Sequence, residues 1–179
     1  LAGRRVVVAA GGTREPLANL LKVVEVNAPL AGTSTTAHCY VISLTGNAIC
    51  RVDELAREAV AQLIDYVIPR GEMARARQAD ADGNTARHTS VLHTKAKKLF
   101  AKVAKSGEGG ELLLYMLAQS FLGYPQLFCK MPLKTSNNMH VHGIDGIHVK
   151  YEPSTGRLAL FWGESKLHAT IYSAVTECL

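Results

Sequence analysis

Two short segments near the end of the chain, Gly143-Ile144-Asp145-Gly146 and Gly163-Glu164-Ser165-Lys166, bring two carboxylates and an ammonium into apolar surroundings. The stretches His142–Tyr151 and Arg157–Leu167 each read as a strand, and Glu152-Pro153-Ser154-Thr155-Gly156 between them is a run of turn formers. Side chains alternate along a strand, so Glu164 and Lys166 are expected on one face and Ser165 on the other. In a hairpin, Asp145 and Glu164 then approach each other at one end. A divalent cation would relieve their repulsion, and Lys166 would work beside a metal-bound water. The competing reading is a pair of solvated strands whose charges face water. The flanking Ile144, Ile147, Val149, Leu158, Leu160, Phe161 and Trp162 weigh against it, since strands this apolar are usually covered on at least one face.

The elements that must position these residues follow from periodicity. Leu55, Ala56, Ala59, Val60, Leu63, Ile64 and Val67 recur at i, i+3, i+4, which predicts a helix from an Asp53 N-cap to about Ile68, stopped by Pro69 and Gly71. Residues 71–87 are polar and centre on Asp82-Gly83-Asn84, and read as a frayed helix followed by a mobile loop. A second amphipathic helix covers His88 to about Lys105, with Val91, Leu92, Leu99, Phe100 and Val103 as its core stripe. Lys95, Lys97, Lys98, Lys102 and Lys105 fill its remainder with no acid between them. They read first as a solvated face and second as a phosphate contact surface.

Ser106-Gly107-Glu108-Gly109-Gly110-Glu111 leads into a buried helix whose Leu113, Met116, Leu117 and Phe121 share a face, closed by Gly123 and Pro125. Glu111 falls in its first turn, either complementing the helix dipole or supplying a third carboxylate to the metal site, with Glu108 expected in solvent. Gln126–Met131 reads as an apolar strand, Lys134–Met139 as a polar loop, and Ile171–Leu179 as the start of a final helix. Upstream, Arg4–Ala10 suggests a strand, Leu17–Val26 a short helix or strand, Ala31–Ala37 a linker, and Cys39–Leu44 a buried strand.

A chain of 179 residues with 47% hydrophobic and 20% charged residues is a globular protein and not a disordered one. Its net charge of +5 leans weakly towards a polyanionic partner. No segment is long and apolar enough to span a bilayer, and no export leader is expected. Cys39, Cys50, Cys129 and Cys178 are scattered without a C-x-x-C pair, which suits buried reduced thiols and a cytoplasmic location. His140 and His142 flank Val141 close to Asp145, but no Cys joins them, so structural or substrate-contacting roles are favoured over zinc; His148 is expected to point away from Asp145.

The D…ExK arrangement resembles the signature of the restriction-endonuclease-like PD-(D/E)xK superfamily. More specifically, Gly110-Glu111-Leu112-Leu113-Leu114-Tyr115, Lys130, His142–His148 and Leu160–Lys166 resemble the nuclease subunit of the Hachiman anti-phage defence system, over roughly residues 38–179. The resemblance implies an α/β fold with a restriction-endonuclease-like core, made of a helix, a three-stranded mixed sheet with a hairpin, and a helix. An α/β N-terminal region precedes that core. It divides the chain into a 1–37 extension, a 38–105 region with two amphipathic helices, and a 106–179 nuclease core.

By the same resemblance, the activity is metal-dependent cleavage of DNA beside a helicase subunit. Asp145, Glu164 and the Ser165 carbonyl would ligate Mg2+ (or Mn2+), Glu111 would serve as a direct or outer ligand, and Lys166 would orient the attacking water. The restriction-like core ordinarily continues beyond the ExK helix, so the sequence suggests a core cut short at Leu179, or a homo-oligomer covering an open sheet edge. At the other end, Val6–Pro16 resembles the opening strand and nucleotide loop of phosphopantothenoylcysteine ligases, without their Asn-Arg-Ser-Ser-Gly-type continuation. A catalytically silent nucleic-acid-binding or assembly module of the same fold is the alternative function.

Overall fold

The structure is a computed structural model, and it describes residues 15–103, 107–131, 145–170, 172, 173 and 176. The elements run α1 (Glu15–Leu20), β1 (Leu21–Pro29), β2 (Thr36–Ile42), α2 (Val52–Val67), α3 (Arg70–Asp82), α4 (Arg87–Val103), α5 (Glu108–Leu122), β3 (Gly146–Glu152) and β4 (Arg157–Gly163). The fold is therefore mixed α/β, with five helices and two antiparallel two-stranded sheets, β1-β2 and β3-β4, among the described residues. The expected three-stranded mixed sheet is not formed there. Gln126 makes only a single antiparallel bridge to His148 beside β3, and Leu127 and Phe128 are exposed, so 126–131 is not a strand.

Helical periodicity in α2, α4 and α5 builds the core. Leu63, Ile64, Tyr66 and Val67 of α2 pack with Met73 of α3, Leu92 and Ala96 of α4, and Leu112, Tyr115 and Met116 of α5. Burying a Leu, Ile or Met side chain of this kind contributes roughly 1.5–3 kcal/mol. Leu17 and Met131 join the same cluster, so segments 1–37, 38–105 and 106–179 differ in sequence texture but share one core where they are described.

Several local expectations change. Arg51, not Asp53, caps α2, and it does so without a side-chain bond; it instead clasps Glu54, with Nη2 2.5 Å from Oε2. Residues 31–35 are the turn of the β1–β2 hairpin, not a linker, and Leu30 N–H donates to Thr35 O at 3.0 Å. Cys39 and Cys50 are exposed, because alternation along β2 turns Cys39 and Val41 outward, so neither is a buried thiol. In the stretch read as a frayed helix and loop, 83–86 form the turn into α4, and before them runs the regular helix α3. Its buried Asp80 accepts from the His88 and Thr89 amides, both at 2.8 Å, and so caps α4 from another element. Burial acts to raise the Asp80 carboxyl, but hydrogen bonds from the Thr89 side chain and from both amides hold it below its ordinary range.

Arg4–Ala10, Lys134–Met139, His140, His142 and Cys178 lie outside the described residues. So does most of Ile171–Leu179, of which 172, 173 and 176 are helical.

Candidate active site

The β3–β4 hairpin delivers the two sequence segments to one place. Its ladder runs from Glu152↔Arg157 at the turn to Gly146↔Gly163 at the open end. There α5 lies close against it. A Cβ added to Gly163 would stand 2.7 Å from Leu114 Cδ2, and one added to Gly110 would stand 2.9 Å from Ser165 Oγ. Glycine at both positions lets α5 and the end of β4 approach this closely without a side chain giving way. The carboxylates of that first turn, Glu108 and Glu111, thereby arrive beside the hairpin end.

Beyond Gly146↔Gly163 the regular register would set Asp145 opposite Glu164. Instead the Asp145 N–H donates to Gly163 O at 2.9 Å. Asp145 Oδ2 accepts from the Ser165 N–H at 2.7 Å and from the Ser165 hydroxyl at 3.0 Å. Ser165, expected on the other face, is thus the residue that meets Asp145. Glu164 and Lys166 pair with each other, Nζ to Oε1 at 2.6 Å, on the more exposed side. An exposed pair of this kind contributes about 0–1 kcal/mol and is readily exchanged for another partner.

A second, buried group stands at the start of α5. Glu111 Oε2 accepts from the Tyr66 hydroxyl at 3.1 Å, and Lys130 Nζ lies 3.4 Å from the same oxygen. Both side chains of that ion pair are about nine-tenths buried. The Tyr66 phenol is pushed well above its ordinary range, first by burial, then by the charge of Glu111 and the bond to it, with Glu108 and Asp145 adding in the same direction. Three carboxylates thus raise one phenol, and of them Glu111 is the one hydrogen-bonded to it. Glu108 is only 3% exposed, so its expected place in solvent is corrected: the helix start is folded under the hairpin.

His148 is buried and donates from Nδ1 to the Tyr124 carbonyl at 2.9 Å, with burial lowering its pKa. Its task is structural, as is that of Tyr124, which stacks on Phe161 with ring centroids 3.8 Å apart.

Sequence pattern does not mark Tyr66 as a polar partner, since within α2 it reads as one more residue of a core-facing helix. Lys130 stands out only as part of the resemblance, and the contact that gives it a partner is tertiary.

Among the described residues, no three of His, Cys, Asp and Glu gather closely enough to hold a metal ion. Asp145 and Glu164 are oxygen donors, and a cation held by them with waters and substrate oxygens would have the hard ligand set that Mg2+ takes. No helix among the described residues is long and apolar enough to cross a membrane.

No curated protein and no solved structure gives a significant match to the chain. The profile of one protein family matches residues 18–179, a span holding Tyr66, Glu111, Lys130, Asp145 and the Gly163–Lys166 segment. On that match the chain belongs to the HamA family, and with it to Hachiman anti-phage defence.

Proposed function

We propose that this chain is a metal-dependent nuclease of the PD-(D/E)xK type that cleaves DNA phosphodiester bonds in Hachiman defence, working with a helicase subunit. The observation that carries the reading is the bond from Asp145 Oδ2 to the Ser165 N–H at 2.7 Å, which ties the Asp-bearing strand to the Glu164-Ser165-Lys166 segment. Asp145 and Glu164 are the residues that would hold Mg2+ or Mn2+, with the Ser165 carbonyl as a further oxygen donor and Glu111 as an outer ligand. When bound, the cation supplies neutralising charge at the phosphate and a more acidic water.

The chain's own residues do the remaining work. Lys166, paired with Glu164 on an exposed flank, can trade that carboxylate for a phosphate oxygen and steady the charge that develops there. Asp145 is oriented by two donors from Ser165, which fix one of its oxygens. Glu111 is held by Tyr66 and Lys130, so the first turn of α5 is anchored before substrate arrives.

The Glu164–Lys166 ion pair also favours a second reading, a silent nucleic-acid-binding or assembly module, since it satisfies both groups without metal. Plasmid DNA incubated with magnesium and the purified protein, alone and with a helicase partner, separates the two. Nicking or linearisation is expected. Binding without any cleavage, in the presence of the partner, decides for the silent module.

A further inference from the structure

The net charge of the chain is not spread over it. Of 20 Lys and Arg residues, 8 lie in 70–103, the α3–α4 hairpin, along with only 3 of the 15 Asp and Glu residues. The rest of the chain holds 12 of each and is neutral, so the whole +5 resides in this hairpin. Its acids are occupied internally: Asp80 caps α4, Asp82 accepts from Gln78 at 2.7 Å, and Glu72 pairs with Lys95 at 2.5 Å. Arg75, Arg87, His88, Lys95, Lys97 and Lys98 are exposed.

Two open cavities lie along this hairpin and share Val91. One, of about 680 Å³, has Arg75, Arg87 and His88 in its lining together with Glu72 and Leu92; the other, of about 500 Å³, has Lys95 and Lys98 together with Leu99. Together they form a groove that follows α4 from Arg87 to Lys98, roughly 16 Å at 1.5 Å per residue. That is about half of the ~34 Å turn of a nucleic-acid duplex.

We infer that the α3–α4 groove binds the phosphate backbone of a nucleic-acid duplex without reading its sequence. Charge complementarity commits the groove to a polyanion, and its composition decides which. Protein interfaces are built on buried aromatic and large apolar anchors and are depleted in lysine. No Phe, Tyr or Trp lines this groove; its floor is aliphatic (Val91, Leu92, Leu99), and four Lys and Arg side chains stand around it against one acid, Glu72. Single strands are held by stacking on aromatic side chains, which this groove does not offer. Backbone contact to a duplex needs only placed cations. The inference deepens the proposal above in supposing a nucleic-acid substrate, but does not depend on its cleavage.

The test is equilibrium binding of the full chain to a labelled mixed-sequence DNA duplex in EDTA, over a salt series, for wild type and for Arg75→Gln/Arg87→Gln/Lys98→Gln. Chelation removes the metal that cleavage needs, so this assay reads binding alone; a protein that binds in EDTA yet never cleaves once magnesium and the helicase partner are restored sinks the nuclease and leaves the groove standing. These three side chains are exposed and outside the core, so an unchanged thermal melt is expected for the variant. The slope of log affinity against log salt should fall by about 2.7, at about 0.9 for each phosphate that is no longer neutralised. An RNA duplex should respond alike. An unchanged slope, no binding by wild type, equal binding to a single strand, or displacement by polyglutamate at equal charge would each overturn the inference.

Discussion

Tyr66 and Glu111, 45 residues apart, meet in a part-buried hydrogen bond at 3.1 Å, on the very carboxylate oxygen that also faces Lys130. The bond joins the end of α2 to the first turn of α5 and is shielded from water, so its loss should register in both stability and site geometry. Tyr66→Phe keeps the ring, which lies 5.2 Å from that of Tyr115, and removes only the donor. A loss of about 1.5–3 kcal/mol is expected, the range for a hydrogen bond to a charged group. Denaturant unfolding measures it, and a midpoint equal to wild type would show that Glu111 does not depend on the Tyr66 hydroxyl. Lys130→Met should cost more, since it removes a cation 3.4 Å from a largely buried carboxylate.

The same phenol sets a pH limit. Tyr66 is pushed up by burial and by neighbouring carboxylates, and Tyr115 is pushed up to about 12 by burial and by the charge of Asp65. A folded-state pKa above the unfolded value means that the native chain holds its proton longer. Stability is then complete below the ordinary phenol value of 10.0 and falls as pH rises past it. Phenolate absorbance followed against pH should show these two tyrosines ionising together with unfolding, after the exposed ones. In Tyr66→Phe the alkaline slope should shrink. Free titration of every tyrosine with no loss of structure would contradict the burial of both rings.

Packing of α5 on the hairpin supplies a third expectation. A Cβ at Gly163 would lie 2.7 Å from Leu114 Cδ2 and 3.3 Å from both Cδ1 and Cγ. Gly163→Ala should therefore cost about 1–3 kcal/mol by overpacking. Adding Leu114→Ala makes room for the methyl group, so the double variant should be less destabilised than the two single changes predict together. Strict additivity would mean that α5 shifts away as a body.

What is legible in the sequence is what local pattern dictates. The 3.6-residue period marks α2 and α4, and the turn formers at 152–156 mark the β3–β4 hairpin. The full extent of α3 escapes pattern because it turns only Met73 and Asp80 fully inward, and a buried aspartate reads as loop until the helix it caps is seen. The nearness of Asp145 to the Glu164-Ser165-Lys166 segment is legible from strand alternation. That Ser165 and not Glu164 takes Asp145 is not, because the Asp145 N–H bonds to Gly163 O outside the ladder's register. Glu108 and Tyr66 acquire their partners only from tertiary packing, which no window of sequence contains.

The site variants carry the function and divide by their structural surroundings. Asp145→Ala, Glu164→Ala and Lys166→Ala should each abolish DNA cleavage, since each removes a metal ligand or the cation that steadies the phosphate. Their stabilities should differ. Asp145 accepts two hydrogen bonds from Ser165, so its loss strands the Ser165 N–H at a part-buried position and should cost about 1–3 kcal/mol. Glu164 and Lys166 share an exposed ion pair, and either substitution should stay within about 1 kcal/mol of wild type. Magnesium titration separates the roles: added metal should partly rescue Glu164→Ala, whose defect is affinity, but not Lys166→Ala. Equal rescue of both would assign Lys166 to metal retention, and full activity in Glu164→Ala would remove that residue from the site.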